Sequence, residues 1–176
     1  MEQILFDAEK LVGKLEIQPG QTVADFGAGS GFITLSCAKR VGAGGTVYAL
    51  DVLSESLEVI ATKAREQQLF NVKPIRANLE KPNGSTLPDD SCDWVIVSNI
   101  LFQSDQQEII IQEATRIAKS KGNIVIIDWY PEKMIIASGH YPVASAQVKA
   151  MAEKCGVHAK TEFECDPYHY AIVFEK

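Results

Sequence analysis

Two rhythms alternate along the chain. In the first, β-branched and apolar residues crowd into short runs: "TVADF" at 22–26, "TVYALD" at 46–51, "VKPIRA" at 72–77, "DWVIVS" at 93–98 and "NIVIIDW" at 123–129. Runs of this kind predict strands. In the second, apolar residues return every three or four positions and predict helices. Residues 30–41 set Ile33, Cys37 and Val41 on one stripe, and residues 105–118 align Ile109, Ala114, Ile117 and Ala118. A helix opening at Ser54, read as its cap, turns Leu57, Ile60 and Ala61 inward. A further packing helix is expected over 2–14. After Trp129 comes an irregular connection, then a helix over 144–155 ended by Gly156. Two last strands, 158–165 and 168–176, are joined by Asp166-Pro167, a joint short enough to force them antiparallel.

Strands that alternate with helices of this length build βαβ units. The expected fold is therefore a doubly wound α/β sheet, mostly parallel and covered on both faces. The near-continuous "VIV" and "IVII" agree, because central parallel strands are buried on both sides. The stretch 78–92 is dense in Pro, Gly, Ser and Asp, so irregular chain is expected there in place of a crossover helix. There is no repeat and no linker, and at 176 residues one domain over 1–176 is expected, with 1–16 as a helical extension.

Charge narrows the function classes. The formal net charge is -6, from 17 basic and 23 acidic residues with no basic block, so neither nucleic acid nor an anionic membrane surface is an expected partner. The four cysteines show no paired spacing and read as reduced thiols, with no metal expected. No eighteen-residue apolar run occurs and the first fifteen residues carry acids, so a cytoplasmic protein without membrane insertion is expected.

The most informative stretch is "TVADFGAGSGF" at 22–32. Glycine at every second position between a strand and a helix permits a tight turn and lets a ligand approach the backbone. A dinucleotide fingerprint would want a third glycine at position 32, where the chain has Phe32. Asp51 ends the second strand about 20 residues past the loop, the place for a carboxylate that takes both hydroxyls of a ribose. Asp25, two residues before Gly27, would repel a pyrophosphate and attract a cation. The ligand that satisfies both acids is a nucleoside with an amino-acid tail, a sulfonium and no phosphate.

These residues resemble a known family. "VADFGAGSG" looks like the first motif of class I S-adenosylmethionine-dependent methyltransferases, "VYALD" like the second, "IRANLE" the third and "DWVIVSNIL" the fourth. The nearest subfamilies are small enzymes of ubiquinone/menaquinone type or arsenite type. The resemblance implies a Rossmann-like methyltransferase fold of seven strands in the order 3-2-1-4-5-7-6, the last strand antiparallel. It implies S-adenosyl-L-methionine as cofactor, with Asp25, Gly27, Ala28, Gly29 and Gly31 at its methionine end. It puts Asp51 on the ribose, Val52 on the adenine face, and Asn78 with Leu79 at the adenine edge. Ser98 and Asn99 come beside the methionyl tail and the methyl group.

Two positions depart from the pattern. Asn78 stands where the third motif usually has aspartate, and "SNIL" replaces the Asn/Asp-Pro-Pro-Tyr of enzymes that methylate planar amino groups. The expected function is methyl transfer to a small-molecule acceptor. An RNA methyltransferase acting on tRNA, and a non-catalytic methyltransferase-fold binding subunit, stand as alternatives. Phe102, Gln103, Trp129, Tyr130 and Tyr141 are the expected substrate pocket, and His140 is the candidate base, being the side chain in that set that titrates near neutrality. A monomer or homodimer is expected.

Overall fold

A computed structural model describes residues 7–133 and 142–176. In chain order the elements are α1 (Ala8–Lys14), β1 (Thr22–Phe26), α2 (Phe32–Val41), β2 (Thr46–Asp51), α3 (Ser54–Glu66) and β3 (Val72–Arg76). There follow β4 (Cys92–Ser98), a 3-10 turn (Leu101–Gln103), α4 (Gln107–Ile117), β5 (Ala118–Trp129), α5 (Ser145–Lys154), β6 (His158–Asp166) and β7 (His169–Glu175). One seven-stranded sheet runs β3-β2-β1-β4-β5-β7-β6. Strands β1 to β5 pair in parallel, and β7 is antiparallel to both of its neighbours. Fold class, strand order and the direction of the last strand are those expected.

The alternation of side chains along central strands divides the core into two faces. Ala24, Val95, Val97, Ile124, Ile126 and Ile172 pack with Ile110, Ile111 and Ala114 of α4 and Val148 of α5. Val23, Ile96, Val125, Ile127 and Val173 pack on the other face with Leu11 and Val12 of α1 and with Ile33 and Cys37 of α2. The chain order reverses between β1 and β4, which opens a crevice beyond their carboxyl ends. Among the described residues no helix is long and apolar enough to cross a membrane.

Several boundaries differ from the sequence reading, each for a local reason. Helix α2 starts at Phe32 rather than Ser30, because Gly29 and Gly31 hold φ of +51° and +81°, outside the helical region. Ser54 is the first helical residue rather than the cap, and Leu53 occupies the cap position with its N–H bound by Asp51. Helix α4 buries Ile110 and Ile111 in place of Ile109, while Ala114 and Ile117 are buried as expected. Strand β5 begins five residues early, at Ala118, because its polar start is held by backbone pairing. Ala118 pairs with Cys92, while Lys121 N–H donates to the Lys176 carbonyl and Lys176 N–H to that of Gly122. Of the helix expected over 2–14, only 8–14 falls within an element of the described residues, with Asp7 as its cap.

The irregular stretch between β3 and β4 is anchored from α4. The Glu113 carboxylate is 3% exposed and accepts the Ser85 N–H at 2.9 Å, the Ser85 hydroxyl at 2.5 Å, and Arg116 Nε and Nη2 at 2.9 and 2.7 Å. Arg116 reaches on to Asp89 and to the Leu87 carbonyl. Burial alone would raise the Glu113 pKa, but these donors and the guanidinium charge together hold it below the ordinary carboxylate range.

Candidate active site

The glycine loop lies at the crevice, and its amides point inward. Gly27 and Ala28 N–H both donate to the Leu50 carbonyl, at 2.9 and 3.0 Å, and Gly31 N–H donates to that of Ala28 at 2.8 Å. Gly29 N–H donates to Asp51 Oδ2 at 2.8 Å. A phosphate cradle needs such amides turned toward its ligand. Here four of them are already taken, so the loop is shaped for close approach and not for a pyrophosphate. A Cβ on Gly27 would collide with the Ile100 side chain, and one on Gly31 would lie 2.7 Å from Ile60 Cγ1. The loop is thus pressed between the segment after β4 and helix α3.

Asp51 is fixed by two backbone donors, Gly29 N–H on Oδ2 and Leu53 N–H on Oδ1 at 2.9 Å. A carboxylate offers about four acceptor positions. One position therefore remains on each oxygen, the arrangement a vicinal diol requires. Val52 and Leu53, beside it, are 54% and 57% exposed and provide an apolar ledge.

Asp25 lies beneath the loop, 1% exposed, and accepts the Thr34 hydroxyl at 2.6 Å. Desolvation pushes its carboxyl up to about 6, against the lowering effect of the Thr34 hydroxyl and backbone N–H. Its charge is turned toward the first turn of α2, where the helix dipole favours an anion.

Beyond β4 the strain increases. Asn99 holds φ of +54°, its N–H donates to the Ile127 carbonyl, and its own carbonyl accepts Gln103 Nε2 at 2.7 Å. Asn99 Oδ1 is buried with no hydrogen-bond partner among the described residues. A left-handed asparagine with an unsatisfied buried oxygen is costly in a purely structural role. Ser98, at the end of β4, is 8% exposed.

The third expected motif is less direct. Asn78 is exposed and its Oδ1 accepts the Glu80 N–H at 3.1 Å, a turn-forming bond that leaves one acceptor position. The Leu79 side chain is buried in the α4-side core, so only its backbone can meet a ligand edge.

Phe102, Gln103, Trp129 and Tyr130 gather at the same rim, after β4 and β5. Trp129 is flanked by Tyr168, with ring centroids 6.4 Å apart, and by His169 at 4.1 Å. His140 and Tyr141 lie outside the described residues.

Two rim residues escaped the sequence reading. Asp128, fully buried, accepts the Phe102 and Trp129 N–H groups; its one signal was an acid closing the apolar run "IVII". His169 is 4% exposed, and its Nδ1 lies 2.8 and 2.9 Å from the two Asp166 oxygens. The pair is three residues apart in a hairpin, and only the strand pairing of His169 with Trp129 brings it to the rim.

A doubly wound sheet of this order, with an acid-flanked glycine loop at the switch point, defines the methyltransferase class of Rossmann-like folds. The chain belongs to the methyltransferase domain family, matched over residues 17–170. It is 29% identical over 120 residues to a demethylmenaquinone methyltransferase of Geobacillus sp. (strain WCH70), covering 68% of this chain and 50% of that protein. It is 28% identical over 113 residues to a ubiquinone/menaquinone biosynthesis C-methyltransferase of Vibrio vulnificus, covering 64% and 42%. The matches thus span about half the length of these curated relatives. A solved S-adenosylmethionine-dependent methyltransferase from Aquifex aeolicus superposes with a TM-score of 0.83 at 28% identity, covering 97% of this chain and 90% of that one.

Proposed function

We propose that the protein is an S-adenosyl-L-methionine-dependent methyltransferase acting on a small, flat, hydrophobic hydroxyaromatic acceptor. The observation that carries this reading is the Asp51 carboxylate, pinned by the loop and by Leu53 so that one acceptor position per oxygen remains for a ribose diol. The inward-turned loop amides argue against a pyrophosphate cofactor, and the unsatisfied Asn99 Oδ1 offers an acceptor for the ammonium of a methionyl tail. The residues present therefore fit S-adenosylmethionine, with Val52 on its adenine face and Asp25, Ala28 and Ser98 around the methionine end.

When bound, the cofactor supplies an electrophilic sulfonium methyl. Asp51, Val52, Asp25, Ala28 and Ser98 would hold it so that its methyl could pass to the acceptor nucleophile, with sulfur retaining the electron pair as a neutral thioether. The chain's part is positioning and exclusion of water, which supply several kcal/mol of the barrier. Phe102, Gln103, Trp129 and Tyr130 hold the acceptor. His140 is the proposed proton acceptor where the nucleophile is protonated. The quinone-type relatives support an aromatic acceptor. A net charge of -6 opposes tRNA. A cytoplasmic monomer or homodimer completes the reading.

Titration calorimetry tests the cofactor. S-adenosylmethionine and its demethylated product should bind and NAD should not, and Asp51→Ala should weaken binding by about 1.5–3 kcal/mol, the scale of lost hydrogen bonds to a charged group. NAD binding as tightly as S-adenosylmethionine would overturn the assignment. Methyl transfer to 1,4-naphthohydroquinone and to tRNA, compared at about physiological salt, tests the acceptor class. Trp129→Ala should mainly raise the KM for the hydroquinone, and methyl incorporation into tRNA alone would reject it.

A further inference from the structure

The residue before the last in strand β5 is a carboxylate that a buried strand would ordinarily avoid. Asp128 follows Ile124 and Ile126 on the α4–α5 face, opposite Tyr170 of β7, and is 0% exposed. Its two oxygens are divided between two elements: Oδ1 accepts the Trp129 N–H at 2.8 Å, and Oδ2 accepts the Phe102 N–H of the 3-10 turn at 3.1 Å. Phe102 and Trp129 are the apolar sides of the rim assigned above to the acceptor. A single buried carboxylate thus joins the backbones of two residues, Phe102 lying 26 positions before Asp128 in the sequence and Trp129 next to it.

We propose that Asp128 is a positioning residue for the methyl acceptor: by bridging Phe102 N–H and Trp129 N–H it holds the acceptor slot at one width, and the slot loosens when that carboxylate gains a proton. The inference rests on the reading of Phe102 and Trp129 as acceptor walls. A neutral residue could close the end of a strand without a desolvation cost, whereas ionised acceptors make the stronger bonds to backbone donors. Desolvation pushes the Asp128 carboxyl up to about 7, and the two backbone bonds lower it only in part. Tyr170 faces it from β7, donating its hydroxyl to the Val143 carbonyl and titrating far above neutrality, with Tyr130 and Glu162 beyond. The 3-10 turn contributes the Phe102 backbone, and the His169–Asp166 pair lies next to Trp129.

Two readouts test it. In a Trp94→Phe background, Trp129 is the sole tryptophan. Its fluorescence without any acceptor should show a pH transition near 7 that Asp128→Asn removes. With 1,4-naphthohydroquinone, wild-type KM should rise severalfold from pH 8 to pH 6. Asp128→Asn should have a KM roughly tenfold higher and flat with pH, the scale of loss when a wall shifts by a fraction of an ångström. Asp128→Glu, which keeps the charge, should restore part of the pH dependence. S-adenosylmethionine affinity should stay within about twofold of wild type in both variants, since the Asp128 carboxylate bonds Phe102 and Trp129, neither of which is assigned to the cofactor. An Asp128→Asn enzyme with wild-type KM and pH profile, while Trp129→Ala raises KM, overturns this inference and leaves the acceptor rim intact. If neither variant changes KM, the rim assignment itself falls. Equal loss of cofactor binding and thermal stability in the Asn and Glu variants reduces Asp128 to a structural group and also overturns the proposal.

Discussion

Glu113→Ala is expected to lower folding stability by about 3–5 kcal/mol, the loss seen when one partner of a buried, hydrogen-bonded ion pair is removed. The size follows from what Glu113 holds. No crossover helix joins β3 to β4, so the stretch 78–92 has no apolar face of helical period to dock on the sheet. Beside the buried Leu79 and Leu87, its polar attachment centres on one carboxylate that gathers the Ser85 N–H and hydroxyl and the Arg116 guanidinium. Removing it leaves the Ser85 N–H without its acceptor and Arg116 with only Asp89, the Ser85 hydroxyl and the Leu87 carbonyl, at a buried site. Urea unfolding at pH 7 measures the effect, and for a chain of this size the melting temperature should fall by roughly 10 °C. The pH dependence has a definite sign. The folded carboxyl is held below its ordinary value, so the stabilisation is present at neutral pH and is lost as pH falls through the folded pKa. Wild type and variant should converge only in acid. A loss under about 1 kcal/mol, the range of an exposed pair, would show that the stretch is anchored by other contacts.

The opposite sign is expected at Asp25. Its folded carboxyl is raised to about 6 from 3.8, chiefly by desolvation. The folded state therefore binds the proton more tightly than the unfolded chain, and stability falls as pH rises across that interval. At about 1.4 kcal/mol per pKa unit, the ionised carboxylate costs on the order of 3 kcal/mol above pH 7. Asp25→Asn keeps an oxygen to accept the Thr34 hydroxyl and removes the charge. The variant should be more stable than wild type at pH 8, by up to about that amount, and indistinguishable from it near pH 4. Affinity for S-adenosylmethionine should drop by about 1 kcal/mol, because a negative charge under the loop attracts the cationic tail through a poorly screened interior. A variant of unchanged stability at pH 8, measured by urea titration, would mean that the buried carboxylate is fully compensated by the start of α2. Unchanged affinity would remove Asp25 from the cofactor site.

What the sequence made legible was local or periodic. The glycine loop announces itself because its turn is made by five adjacent residues, and the strands because β-branched runs between breakers form a short-range signal. Asp51 was readable through its distance along the chain from the loop, although its bond to Gly29 N–H was not. Hidden features were those that long-range pairing creates. Nothing near Asp128 in sequence points to Phe102, and nothing near Glu113 points to Ser85. The early start of β5 is likewise invisible, since Lys119, Ser120 and Lys121 carry no strand pattern and the segment is held by Ala118 pairing with Cys92 and by the Lys121 N–H on the Lys176 carbonyl. Leu79 shows the converse: a position carried over from a family motif whose side chain this fold uses for its core.

The reversal of strand order between β1 and β4 has a consequence for how such a protein can diversify. Everything assigned to the nucleoside lies on one side of that line, contributed by a continuous piece of chain from β1 to the turn after β3. Everything assigned to the acceptor's apolar walls comes from later segments, after β4 and β5. Mutations that reshape the later segments leave the earlier hydrogen bonds untouched, and changes at sites so separated add nearly independently. Lineages can therefore exchange one acceptor for another by drift in Phe102, Trp129 or Tyr130 without passing through an intermediate that has lost its methyl donor, whereas Gln103 is tied to the cofactor side by its bond to the Asn99 carbonyl. The same separation makes the codons of Phe102, Trp129 and Tyr130 the natural place for a saturation library seeking new acceptors.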